Sequence, residues 1–178
     1  MIKVDHIKCE SCRKAGHCVR TGECCHIRES LKMDSAEDRV IRDQVYHSTG
    51  VIYLYLLSRY TISLTEKERA WMVTEAKKRK LKFKVLPKRV LLDGKKAVVY
   101  DWFVDHDICL FLKNGNECTV YVNRPKICKD FPFHHLKKDQ VSEIKTFISS
   151  RHLALAQVSF TEAVRQARES LKQQGIGV

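Results

Sequence analysis

The chain has little of what flexible, fibrous or membrane-spanning proteins need. Its 178 residues include only 7 Gly and 3 Pro, which excludes collagen-like and low-complexity classes. The longest uninterrupted apolar run, Val51 to Leu57, is seven residues. A membrane helix needs about 20. The opening Met-Ile-Lys-Val-Asp-His-Ile-Lys-Cys lacks a basic stretch followed by an apolar run, so it does not read as a secretory signal. No glycine-rich nucleotide-binding loop, Rossmann pattern or Ser/His/Asp arrangement is present. Acidic residues are the minority, 21 against 33 Lys plus Arg, for a formal charge of +12. No Cys lies between 26 and 108 or after 128. These absences leave a cytoplasmic protein with no membrane segment, organised as a single domain over 1–178.

Hydrophobic residues make up 44%, enough for a packed core, and eight residues are Cys. In a reducing compartment that many thiols suggest metal or redox chemistry more than a disulfide framework. They fall into two groups. Cys9, Cys12, Cys18, Cys24 and Cys25 crowd the first 25 residues; Cys109, Cys118 and Cys128 lie in a stretch of 20. Ligands far apart in sequence imply a fold closed around one site.

Local patterns predict the elements. Ser35 followed by Asp38 resembles a capping box opening a helix to His47, with Val40, Ile41 and Val45 on one face. Val51 to Tyr60 is ambiguous in period. Ile62 and Leu64 form a short extended stub. Thr65-Glu66-Lys67-Glu68 is a second capping box, for a helix to about Arg79. Val90 to Leu92, Asp93-Gly94, and Ala97 to Val104 read as a hairpin. Glu117 to Val122 reads as a further strand. Ser159 caps a last helix with Phe160, Ala163, Val164, Ala167 and Leu171 on one face and Gly175 past its end. The fold class is α+β, with more helix than sheet: helices and a short antiparallel sheet closed around a cysteine metal site.

Thiolate is a soft ligand, suited to zinc, copper(I) and iron–sulfur clusters. The two-residue gap of Cys9-Glu-Ser-Cys12 lets one turn aim both sulfurs at a metal. Gly22 permits a tight fold ahead of Cys24-Cys25. Asn114-Gly115 supplies a turn between Cys109 and Cys118, and Arg124-Pro125 can start a short helix carrying Cys128. Lys126 and Lys129 would offset thiolate charge. Phe111, Tyr121, Phe131 and Phe133 would form a dry shell.

These motifs together resemble the YkgJ-type cysteine-cluster proteins, also known by their CxxCxxCC domain. The resemblance rests on Cys18-x-x-x-Gly22-x-Cys24-Cys25, on Ile62-Ser-Leu64-Thr65-Glu66, and on the block from Cys109 to Phe133. That block keeps Cys118, Tyr121, Arg124-Pro125, Cys128 and Phe-Pro-Phe in order. It spans about 18–133, with a helical C-terminal extension over about 150–175. The resemblance implies metal binding by Cys18, Cys24, Cys25, Cys109, Cys118 and Cys128, as zinc or iron–sulfur. Flagellin lysine N-methylases carry a similar domain. Thr21 stands at a position where the family has Cys; Cys9 and Cys12 are extra thiols able to replace it. One metal or one 4Fe–4S cluster takes four ligands, and six matched cysteines exceed that. The expectation is therefore an iron–sulfur centre, a 4Fe–4S cluster first and Zn2+ second. Its use would be electron transfer, or redox or group-transfer chemistry on a macromolecule. The alternative is a zinc-stabilised basic module.

Three weaker signals remain. Cys9, Cys12 and His17 begin like a zinc knuckle, a near miss in spacing. Asp101, Asp105, His106 and Asp107 precede Cys109, and His134-His135 follow Phe133; a solvated loop and exposed histidines are the simpler readings. Lys77 to Arg89 holds eight basic residues in thirteen and no acid. Such a stripe suits a nucleic acid or an acidic protein, although only Phe83 interrupts it with an aromatic ring.

Overall fold

The computed structural model describes residues 14–15, 19–20, 22, 25, 35–57, 62–130 and 158–178. Within these, helix α1 spans Ser35–Thr49, α2 Glu66–Lys78, α3 Lys126–Asp130 and α4 Phe160–Gln173. Strands β1 (Ile52–Tyr53), β2 (Ser63–Leu64), β3 (Val85–Asp93) and β4 (Lys96–Val104) form one antiparallel sheet in the order β1-β3-β4-β2. A separate two-stranded ribbon joins β5 (Leu112–Lys113) to β6 (Glu117–Cys118). The α+β class is as expected. Among the described residues no helix is long and apolar enough to cross a membrane.

The β3–β4 hairpin forms because its strands are rich in β-branched and aromatic residues and its turn takes the needed backbone. Asp93 pairs with Lys96, which leaves Gly94 and Lys95 as the loop. Gly94 has φ +57, the left-handed value that glycine adopts without penalty. A register shift around Lys88 puts a bulge in β3. The α2 capping box is complete: Thr65 accepts from the Glu68 N–H, and the Glu68 carboxylate accepts from the Thr65 N–H.

Among the described residues two large apolar clusters and a small one, Val51 with Leu91, pack with the sheet. One large cluster holds Tyr46, Ile52, Leu54 and Val90 with the α4 face Phe160, Ala163, Ala167 and Leu171. The other large cluster holds Leu64, Met72, Trp102, Val104 and Phe111 with four cysteines. Val99 and Ile176 touch both.

Three local expectations change. In α1 the buried positions are Asp38, Tyr46 and Thr49, while Val40 is 54% exposed. Asp38 is an interior tie rather than a cap: its carboxylate accepts from Arg42 Nε at 2.6 Å and from the Leu57 N–H at 2.6 Å. Val51 to Leu57 contributes only the two residues of β1. The strand expected over Glu117 to Val122 stops at Cys118. The Thr119 N–H and Oγ1 both donate to the Phe111 carbonyl, at 2.9 and 3.0 Å, and turn the chain into a 3-10 helix over Tyr121–Asn123.

Candidate metal centre

The two cysteine groups meet through the backbone. The Cys25 N–H donates to the Gly22 carbonyl at 2.8 Å, closing a tight turn. The Cys25 carbonyl then accepts from the Cys109 N–H at 2.7 Å. Gly22 has φ +77 and lies against the β5–β6 loop. A Cβ there would overlap the Gly115 carbonyl oxygen and sit 2.9 Å from Asn116 Cα. The loop presents this surface because Asn114 and Gly115 adopt φ +53 and +77.

The rest of the second group is placed in three steps. The Leu112 N–H donates to the Cys109 carbonyl at 3.0 Å, and Leu112 faces Cys118 across the ribbon. The turn at Thr119 leads to Tyr121 and Arg124. Pro125 then opens α3, its carbonyl accepting from the Cys128 N–H at 3.0 Å. Glu68 anchors that helix to α2: one carboxylate oxygen accepts from the Lys126 N–H at 2.6 Å, the other from Thr65.

Cys25 and Cys109 are buried in the second apolar cluster, and Cys118 and Cys128 pack against it. Phe111 and Val120 are buried beside them. Phe83 meets Phe111 edge to face at 5.5 Å. No disulfide links these four cysteines to one another. Among the described residues, no three His, Cys, Asp or Glu side chains converge in the manner of ligands to one ion. Cys9, Cys12, Cys18 and Cys24 lie outside the described residues, as do Thr21, His17, Phe131, Phe133, His134 and His135. In kind, the donors fit a soft metal: thiols from both groups, in an apolar pocket, with hydrogen-bonded backbone around them.

Two of the three acidic residues before Cys109 pair with basic side chains. Asp101 forms a buried ion pair with Arg89, at 2.5 Å to Nη2 and 2.9 Å to Nε. Asp105 pairs with Lys84 at 2.6 Å. His106 Nε2 accepts from the Lys84 N–H at 2.6 Å, and its ring stacks on Phe83 at 5.7 Å. Burial pulls the His106 pKa below its ordinary value, with Asp105 opposing.

The basic stripe Lys77 to Arg89 is divided by the fold. Lys78 and Arg79 pair with Glu75, and Arg79 also donates to the Thr119 carbonyl at 3.4 Å. Lys88 donates to Ser63 Oγ at 2.6 Å, and burial pulls its amine below the usual lysine range. Lys77, Lys80 and Lys82 are exposed. A different arrangement of cations lies next to the cysteines. The Arg124 guanidinium sits 4.2 Å, and that of Arg20 4.4 Å, from the centre of the Tyr121 ring.

The profile of the CxxCxxCC family, described as a putative zinc- or iron-chelating domain, matches residues 8–147. The chain belongs to this family. The CxxCxxCC match begins ahead of Cys9, so it takes in all eight cysteines, including the two upstream of the expected core. It also takes in the Gly22–Gly115 contact and the Glu68 anchor. Family membership supports metal binding by this chain as either zinc or iron. Comparison with curated proteins and with solved structures gave no match. Helix α4 lies beyond the family match yet packs on β1, β3 and β4.

Three contributors to the site carry no sequence signal of their own. The Gly22 contact joins segments about 90 residues apart. Glu68 reads as a cap and nothing more. Tyr121 reads as one member of an aromatic shell, with no sign of its two guanidinium neighbours.

Proposed function

We propose that this chain binds an iron–sulfur cluster, a 4Fe–4S cluster first, and uses it for electron transfer or for redox or group-transfer chemistry on a macromolecule. The proposed ligands are drawn from Cys18, Cys24, Cys25, Cys109, Cys118 and Cys128, with Cys9 or Cys12 taking the place left by Thr21. One observation carries this reading: the Cys25–Cys109 backbone hydrogen bond seats thiols of both groups in a single apolar cluster. Six matched thiols exceed the four that one zinc takes, which favours a cluster with further redox-active thiols. A bound cluster would supply reversible one-electron chemistry. The chain's own part is to exclude water with Phe111 and Val120, hold the cysteine segments in register and keep positive charge nearby.

The test is anaerobic purification followed by iron, sulfide and zinc analysis and electron paramagnetic resonance. A brown protein with iron and acid-labile sulfide, and a reducible paramagnetic signal, is the expected result. Colourless protein with stoichiometric zinc, and no cluster after anaerobic reconstitution, would replace this reading with a structural zinc site. Serine variants of Cys24, Cys25, Cys109, Cys118 and Cys128 should each lose metal. Unchanged metal content across all five would refute the ligand set. Cys9→Ser and Cys12→Ser test the replacement of Thr21 separately.

A further inference from the structure

We propose that the cleft between the start of α2 and the end of α4 binds a short acidic peptide, which adds in extended form to an open edge of β4. β2 covers that edge only at Trp102 and Phe103. Near the hairpin turn, α4 covers it. The Ala97 N–H donates to Ser170 Oγ at 2.8 Å, and the Ala97 carbonyl accepts from Gln174 Nε2 at 3.0 Å. Both main-chain groups of Ala97 therefore point away from β3. In an antiparallel pair this direction alternates from residue to residue, so the N–H and C=O of Val99 also point outward. Among the described residues nothing hydrogen-bonds to them. An uncovered N–H and C=O on one strand residue are the two groups that an incoming strand pairs with.

The open edge faces a cleft of about 610 Å³, within the range of ligand sites. Val99 and Ile176 line it, and both belong to the apolar clusters beneath. From Lys96 to Trp102, both in its lining, β4 runs about 20 Å. That elongated shape suits an extended chain better than a compact ligand. Charge sets the preference for an acidic one. At the α2 end, Arg69 and Glu66 neutralise each other: Nε and Nη2 of Arg69 donate to the carboxylate at 3.0 and 2.6 Å. The guanidinium lies 4.2 Å over the Trp102 ring, so this wall is held in place. At the other end Lys96 is exposed. Among the described residues it forms no ion pair, although Asp93 faces it across the hairpin. A second copy of the chain is a poorer occupant. Only residues 98–101 of the edge are uncovered, too few to build the ~1,200 Å² of a stable dimer interface. The cleft holds no cysteine among its described residues, so its recognition chemistry is independent of the metal.

The experiment uses the full chain, as purified with its metal, and follows amide signals by two-dimensional NMR. The probe is the blocked peptide acetyl-Glu-Val-Leu-Val-Glu-amide; a neutral form carries Gln in place of both Glu. In the free chain the Val99 amide should exchange with deuterium faster than that of Val98, which bonds to β3. Saturable binding should shift the Val99 amide and the Trp102 indole and slow the Val99 exchange. N-methylation of the peptide at one set of alternate residues should abolish binding, and at the other set should spare it, because only one set turns its N–H toward β4. Lys96→Gln, at an exposed position, should weaken the acidic peptide about threefold and leave the neutral one unchanged. Absence of saturable binding, or equal binding of the two methylated series, would overturn the proposal. Equal loss of both peptides in Lys96→Gln would overturn its acidic preference. A dimer in sedimentation that excess peptide dissociates would assign the edge to a second copy instead.

Discussion

Gly22 and Gly115 share one backbone angle, φ +77, and differ in what surrounds them. Around Gly115 nothing lies within 4 Å of the place a Cβ would take, whereas at Gly22 that place is filled by the backbone of Gly115 and Asn116. Gly115→Ala therefore carries only the left-handed penalty, about 1 kcal/mol. Gly22→Ala adds a backbone overlap that no rotamer relieves, for a total of roughly 3 kcal/mol. Because the angle is common to both, the difference isolates the contact between the two cysteine groups. Urea denaturation of the two variants, with metal content measured alongside, checks it; equal losses would show that the contact is not limiting.

His106 supplies a pH dependence at the same scale. Its Nε2 must be unprotonated to accept the Lys84 N–H. Burial lowers its folded pKa below the unfolded value of about 6.5, so the folded state binds fewer protons. The stability contributed is complete above about pH 6.5 and is lost as pH falls through the folded pKa. His106→Gln keeps an acceptor and does not titrate there. Wild type should lose melting temperature relative to this variant as pH drops below about 6.5. Parallel melting curves across that range would remove His106 from the account.

At the scale of elements, Glu68 joins two helices that carry different duties. One carboxylate oxygen completes the α2 cap, and the other receives the first N–H of α3, the helix holding Cys128. Thr65→Ala removes only the cap, at about 1 kcal/mol, and should leave metal content intact. Glu68→Ala removes the cap and the anchor. It should cost about 2–3 kcal/mol and increase metal loss to a competing chelator. If the two variants release metal at the same rate, α3 does not depend on Glu68 for its position.

The caps of α2 and α4 were legible in the sequence because a cap is written within four residues: Thr65 to Glu68, and Ser159 to Glu162. The β3–β4 hairpin was legible for the same reason, although the glycine sits at the first loop position rather than the second. The α1 face was misread because apolar counting does not see a buried Asp38 tied to Arg42 and Leu57. The expected strand at Glu117 to Val122 has the right composition but loses its ladder to Thr119, whose side chain and N–H take the same carbonyl. In the site, the cysteine grouping was visible from spacing alone. The seam between the groups was not, since a contact such as Gly22 on Gly115 leaves no period or motif in either segment.

At the scale of the molecule, the two larger apolar clusters predict how metal and stability are coupled. The four described cysteines, Cys25, Cys109, Cys118 and Cys128, belong to one cluster, together with Trp71 and Trp102. The other, built from α1, β1 and α4 with Val90 and Ala97 of the hairpin, contains no cysteine and no tryptophan among the described residues. Among the described residues, only Val99 and Ile176 are shared. A metal that binds folded but not unfolded ligands stabilises the elements that hold those ligands. Its removal should therefore loosen the cysteine cluster first, while α4 keeps Ala163, Ala167 and Leu171 packed on the sheet. Tryptophan fluorescence reads the first cluster alone, and amide hydrogen exchange in α4 reads the second. After treatment with a strong chelator, the fluorescence transition should move to lower denaturant while protection of the α4 amides persists. Loss of both signals at one midpoint would mean that the shared residues, few as they are, couple the clusters into a single cooperative unit, with the metal stabilising the whole sheet rather than its cysteine side.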